Sequence, residues 1–79
     1  MEIAPRRINI VSPGIVTTPM FGDPSAERDA KLEMATGRHL LPRPGLPEEV
    51  AQGLLFAVTN RFVTGTTIDV DGGWILGGR

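Results

Sequence analysis

The chain has 79 residues, a formal net charge of −1 and 41% apolar residues, which allows one domain at most and excludes an intrinsically disordered chain. It contains no cysteine and one histidine, His39, so disulfide staples and thiolate or multi-histidine metal sites are excluded, and the reducing cytoplasm is the expected compartment. Eight basic and nine acidic side chains are dispersed, and the longest wholly apolar run, Leu54 to Val58, is five residues. Neither nucleic acid nor a membrane is therefore an expected partner, and no secretory leader is expected.

Glu2-Ile3-Ala4-Pro5-Arg6-Arg7 has room only for the last turn of a helix, which Pro5 ends. Ile8-Asn9-Ile10-Val11 is short and rich in β-branched residues, and Ser12-Pro13-Gly14 stops it; residues 8–14 are read as a buried strand and its turn. Residues 15–46 are loop-rich and hold one helix, with Asp23 as its cap, Pro24 at the first helical position and Gly37 at the exit. Within it Glu27 precedes Lys31 by four, and Ala30, Leu32 and Met34 give a weak apolar side, so this helix is predicted to lie on the surface as a lid. Three prolines and a glycine stiffen the stretch from His39 to Pro47, where His39 is read as solvent-facing and Arg43 as a surface charge.

Pro47 opens the strongest helix, residues 47–60. Val50, Ala51, Leu54, Leu55 and Val58 fall on one packing stripe, and Glu48 and Glu49 favour the dipole of the first turn. Leu46 occupies the cap position without a polar side chain, at a cost of about 1 kcal/mol. Gly53 costs roughly another 1 kcal/mol against alanine and marks a site where a neighbour packs closely. Thr66 to Val70 alternates as a second strand, and Asp71-Gly72-Gly73 closes it as a structural turn, completing residues 66–73. Trp74 is read as an interface or core anchor. The order strand, helix, helix, strand predicts an α/β unit with a right-handed crossover between two parallel strands. Two strands alone do not make a stable sheet.

The run from Ile8 through Ser12-Pro13-Gly14-Ile15-Val16-Thr17-Thr18-Pro19-Met20 resembles the strand and turn that follow the catalytic helix in short-chain dehydrogenases/reductases. Arg43-Pro44-Gly45-Leu46-Pro47-Glu48-Glu49-Val50-Ala51 resembles the start of that family's penultimate helix, and Phe62-Val63-Thr64-Gly65 through Val70-Asp71-Gly72-Gly73 resembles its last strand. The resemblance covers nearly all of residues 1–79 and corresponds to the last third of a typical member. It implies the carboxyl-terminal part of a Rossmann-like doubly wound parallel sheet, with two strands, a lid helix and a packing helix, incomplete as a stand-alone domain.

Family members move hydride between NAD or NADP and a small carbonyl or alcohol substrate, using a tyrosine, a lysine four residues later and a serine. The chain has no tyrosine, its one lysine is Lys31, and no glycine-rich phosphate turn opens a helix, so no catalytic residue is assigned. The resemblance places Pro13, Gly14, Val16 and Thr18 at the cofactor, with the Val16 amide toward the carboxamide and the Thr18 hydroxyl toward the carboxamide or the pyrophosphate. Pro19 and Met20 fall at the substrate, with residues 15–46 as its lid. Three readings stay open: a part of an oxidoreductase that is inactive until the remaining part is supplied, a non-catalytic module for self-association, and a remnant without activity.

Overall fold

Two short parallel strands with a helix laid across them form the organised centre of the molecule. The computed structural model describes residues 5–74, which in chain order give β1 (Ile10–Pro13), a 3-10 turn (Pro19–Phe21), α1 (Ala26–Thr36), α2 (Pro47–Thr59) and β2 (Thr67–Val70). The strands pair in parallel, Ile10 opposite Thr67 and Pro13 opposite Val70, which requires the long crossover that α1 and α2 occupy. The helical turn expected ahead of Pro5 lies outside the described residues.

β1 starts at Ile10 rather than at Ile8. Ile8 and Asn9 instead tie down the loop that leads into β2. The Ile8 amide donates to Thr64 Oγ1 at 3.2 Å, and the Gly65 amide donates to the Ile8 carbonyl at 2.7 Å. Asn9 clasps the same loop at both ends, donating through Nδ2 to the Val63 carbonyl at 3.0 Å and accepting through Oδ1 from the Thr66 amide at 3.2 Å. Pro13 then closes the strand, a position where its missing N–H costs nothing.

α1 is capped by Ser25, whose hydroxyl accepts from the Arg28 amide at 3.0 Å, and not by Asp23. Its covered side is Arg28, Leu32 and Thr36, spaced four apart, with Leu32 3% and Thr36 0% exposed. Met34, expected on that side, is 84% exposed, because positions 30, 32 and 34 alternate as on a strand and cannot share a helix face. His39, expected in solvent, is buried and stacks on Trp74 with ring centroids 6.0 Å apart. The Glu27–Lys31 pair does form, at 3.7 Å.

α2 starts where predicted and ends one residue earlier, at Thr59, and of the predicted packing stripe only Val50 is among the half-buried residues. Val50, Gly53 and Ala57 are the half-buried residues toward the sheet, while Leu54, Leu55 and Val58 are 51%, 61% and 67% exposed. A Cβ on Gly53 would stand 2.8 Å from Val70 Cγ2 and 3.7 Å from Val11 Cγ1. The helix is apolar around more than one face, and the face with the smallest side chains allows the closest approach to the strands, so it wins the sheet.

No basic residue lies in the last turn of α2, yet its free carbonyls are served from a distance. The Arg7 guanidinium donates to the carbonyls of Ala57, Val58, Asn60 and Val63 at 2.8 to 3.0 Å, placing a cation at the negative end of the helix. Arg7→Met is expected to lower the unfolding free energy by about 1–2 kcal/mol, the upper part of the range for a cation at a helix carboxyl end, and to fray residues 57–60 first. Urea melts with amide exchange would show it; an unchanged midpoint would deny Arg7 this role.

The accessible surface is 6171 Å², against about 4,700 Å² for a compact monomer of this mass. The radius of gyration is 15.2 Å, against about 12 Å. Leu32 is the one buried hydrophobic residue among those described. The apolar surface of α2 and of β1 is thus left uncovered, as expected of an incomplete sheet.

Candidate functional site

Both strands end at the same edge of the sheet, and the segments that leave them meet there. Gly14 is held by its amide to the Val70 carbonyl at 3.0 Å. A Cβ at that position would stand 2.8 Å from Asp71 Cα and 2.9 Å from Asp71 Cβ. Glycine is needed here because the end of β2 comes so close; among the described residues, the glycines with positive φ are Gly22, Gly65, Gly72 and Gly73.

Two residues on, Val16 pairs in parallel with Gly45 as an isolated bridge. The Gly45 amide donates to the Ile15 carbonyl and the Thr17 amide donates to the Gly45 carbonyl, both at 2.9 Å. Such a bridge uses the groups on either side of Val16, so the Val16 amide itself points away from Gly45. Thr18 is half-buried and stands before the 3-10 turn, its carbonyl accepting from the Phe21 amide at 3.0 Å and its hydroxyl making no cap bond. Pro19 and Met20 lie in that turn and are exposed, Met20 by 87%.

A cavity of about 320 Å³ opens beside the bridge, lined by Ile15 and Val16, by the connector at Leu41, Arg43 and Gly45, by Leu46, Glu49 and Val50, and by residues 69–73. Of the six residues predicted to bind cofactor or substrate, only Val16 reaches this cavity. Pro13, Gly14, Thr18, Pro19 and Met20 lie outside its lining.

The charged residues at the cavity form a lock that the sequence reading missed. Arg43, read as a plain surface charge, donates to Glu49 Oε1 and Oε2 at 2.8 and 2.9 Å as a fork. Glu49 Oε1 also accepts the Leu46 amide at 2.9 Å. Leu46 has no side-chain acceptor, so only the reciprocal half of a capping box is formed, and Glu49 supplies it. Glu49 sits three residues after the cap, a spacing that could have revealed this. Arg43 lies outside the helix and gave no signal.

The Arg43 fork and the Leu46 amide hold the Glu49 carboxyl down from its ordinary 4.5 to about 2, while the same carboxylate raises Arg43. Because the folded value is lowered, the lock contributes in full above pH 4.5 and is lost as pH falls toward 2. Amide protection at Leu46 is expected to drop across that acid window and to be weakened by added salt. In Glu49→Gln this pH dependence should vanish; an unaltered acid profile in that variant would assign the effect to another group, Asp69 and Asp71 being the other acids at the cavity.

After β2, Gly72 and Gly73 take φ of 62° and 80°, and the Gly73 amide donates to Asp71 Oδ1 at 2.8 Å. The Leu41 amide donates to the Gly72 carbonyl at 2.8 Å, so the turn also anchors the connector. The structural-turn reading of Asp71-Gly72-Gly73 holds.

Comparison with known proteins agrees with this geometry. A family profile described as Enoyl-(Acyl carrier protein) reductase matches residues 1–75. The chain is 40% identical over 76 residues to the short-chain dehydrogenase/reductase ATR9 of Stachybotrys chlorohalonatus, covering 96% of the chain and 30% of that protein. It is 42% identical over 80 residues to the 3-oxoacyl-(acyl-carrier-protein) reductase FabG of Thermotoga maritima, covering 95% of the chain and 31% of that protein. A crystal structure of a small-chain dehydrogenase in complex with NADPH superposes with a TM-score of 0.76 at 38% identity, over 91% of this chain and 33% of that one. The chain thus spans about 30% of the length of the curated relatives it matches. With two parallel strands, a crossover of two helices and this match along nearly its whole length, the chain belongs to the short-chain dehydrogenase/reductase family.

Proposed function

We propose that the chain supplies the nicotinamide side and the substrate lid of an NAD- or NADP-dependent oxidoreductase, and that it carries out no turnover by itself. The observation that supports this most is the Val16 amide, turned away from its bridge at the carboxyl edge of two parallel strands, where open parallel sheets bind their ligands. Gly14 keeps the edge free of a side chain, and the Val16 amide and Thr18 hydroxyl are donors that fit a carboxamide. When bound, the dinucleotide supplies or accepts the hydride. Val16 and Thr18 would orient it, with Pro19, Met20 and residues 15–46 over a small carbonyl or alcohol substrate.

Proton transfer is a different matter. The chain has no tyrosine, and Lys31 stands on α1 with a side chain 77% exposed, paired with Glu27. Titration with NADH and NADPH, followed by nicotinamide fluorescence, is expected to give binding no tighter than about millimolar, since an edge without a phosphate site grips a dinucleotide weakly. Turnover is expected only on adding a polypeptide that carries the glycine-rich turn and a Tyr-x-x-x-Lys pair. Micromolar binding or turnover by the chain alone would overturn this reading.

The exposure of Leu54, Leu55 and Val58 on α2 favours a second reading, a non-catalytic module that associates with itself or with a related enzyme. Light scattering after size exclusion separates the two. A monomer at every concentration removes self-association, and a defined dimer supports it.

A further inference from the structure

We propose that Arg43 and Glu49 are positioning residues for the Val16 amide, holding the loop after β1 at a fixed distance from the sheet. This rests on the cofactor role proposed above for Val16. The connector is pinned on both sides of Gly45. On one side the Val16–Gly45 bridge closes with two bonds of 2.9 Å. On the other, the Arg43 fork to Glu49 and the Leu46 amide to the same carboxylate close residues 43–49 into a ring.

Gly45 stands where the two meet. A Cβ there would lie 3.7 Å from Val16 Cγ2 and 3.9 Å from Glu49 Oε1, so the carboxylate and the Val16 side chain are both in van der Waals reach of one spot. Glu49 is itself carried by a rigid element, because α2 is seated on Val70 and Val11 through Gly53, one turn further on. A continuous mechanical path therefore runs from the sheet through Gly53 and Glu49 to Gly45 and Val16.

A cap for α2 would need only the Leu46 bond. The Arg43 fork satisfies no helix amide; it ties the connector to the helix six residues later. That extra tie is what a loop needs if its amide is to meet a ligand at a set place, since loose donors lose affinity to ordering.

The test compares the native chain with Arg43→Gln, which removes the fork and keeps the Leu46 bond, and with Glu49→Gln, which keeps one acceptor for Leu46. Amide exchange at Thr17 and Gly45 is expected to speed up by about fivefold in both, the weight of an exposed ion pair, while the Ile10 and Gly14 amides of the ladder stay unchanged. The second readout is the shift of the Val16 amide resonance on adding NADPH, whose half-saturation should move about fivefold higher in the variants, by the same free energy. Unchanged exchange at Thr17 and Gly45, or equal acceleration at Ile10 and Gly14, overturns the positioning role. Where NADPH moves no Val16 resonance in the isolated chain, as its weak grip allows, the exchange comparison at Thr17 and Gly45 decides the positioning role by itself.

Discussion

Gly14→Ala is expected to lower stability by about 3 kcal/mol, the upper end for overpacking. The added carbon would sit 2.8 Å from Asp71 Cα, 2.9 Å from Asp71 Cβ and 3.1 Å from the Asp71 carbonyl oxygen. Two of these three are backbone atoms, which cannot swing away as the end of a long side chain would. Relief requires the ends of β1 and β2 to separate, which stretches the bond from the Gly14 amide to the Val70 carbonyl, now 3.0 Å. Among the described residues the sheet has one ladder, so none of their strands besides β1 and β2 shares the strain. A fall in melting temperature of more than about 10 °C is the corresponding readout. A variant that melts within about 2 °C of the parent would mean that the strand ends give freely.

The second large effect is expected at Gly53 and depends on the size of the replacement. Alanine is the better helix former by about 1 kcal/mol, but its Cβ would meet Val70 Cγ2 at 2.8 Å and Val11 Cγ1 at 3.7 Å. Val70 is β-branched and fixed in β2, so it has little rotamer freedom with which to yield. The clash outweighs the propensity gain, and Gly53→Ala is expected to lose about 1 kcal/mol net. Gly53→Leu should lift α2 from the sheet and cost about 3 kcal/mol or more. Urea unfolding of the two variants would expose an error in this ordering. An alanine variant more stable than the parent would show that helix propensity, and not contact with Val70, governs this position.

Both effects place the same demand on the chain, since the candidate site stands on a junction of backbones. Gly14 lets β2 end against β1, and Gly53 lets α2 come down onto both strands. Glu49 and Arg43 then fix the connector against the loop that carries Val16. The site is therefore sensitive to changes one or two layers away from the Val16 amide. The cavity of about 320 Å³ beside it is lined by connector, helix start and strand end together.

Much of this was legible in the residues. Pro47 and Asn60 bracket α2 because proline opens a helix without losing a bond, and the polar pair Thr59-Asn60 interrupts the apolar pattern. The β-branched alternation before Asp71-Gly72-Gly73 located β2 to within one residue. The family was legible too, because its motifs at residues 8–20, 43–51 and 62–73 are local strings whose order survives without any knowledge of contacts.

What the residues did not reveal was which face of an element meets which neighbour. Leu54, Leu55 and Val58 read as a packing stripe because they are apolar at helical spacing. Contact with Val70 and Val11 goes instead to the side of Gly53, where the missing side chain permits the closest approach. Asp23 and Ser25 are both able caps for α1, and the choice fell to Ser25 through its bond to the Arg28 amide. His39 reads as a solvent-facing loop residue, yet in its loop it is buried, and Trp74, 35 positions later, stacks on it.

The sequence by itself determined the α/β order, the bounds of α2 to within one residue, the family, and the absence of a tyrosine and of a second lysine, because these are properties of local spacing and residue type. Only the tertiary structure decided that Arg7 caps a helix 50 residues away, that Asn9 clasps the loop before β2, and that Arg43 forks onto Glu49 beside the Val16–Gly45 bridge. These contacts join segments whose separation in sequence carries no periodic signal. They are set by where the parallel pairing of β1 and β2 brings the ends of the crossover together.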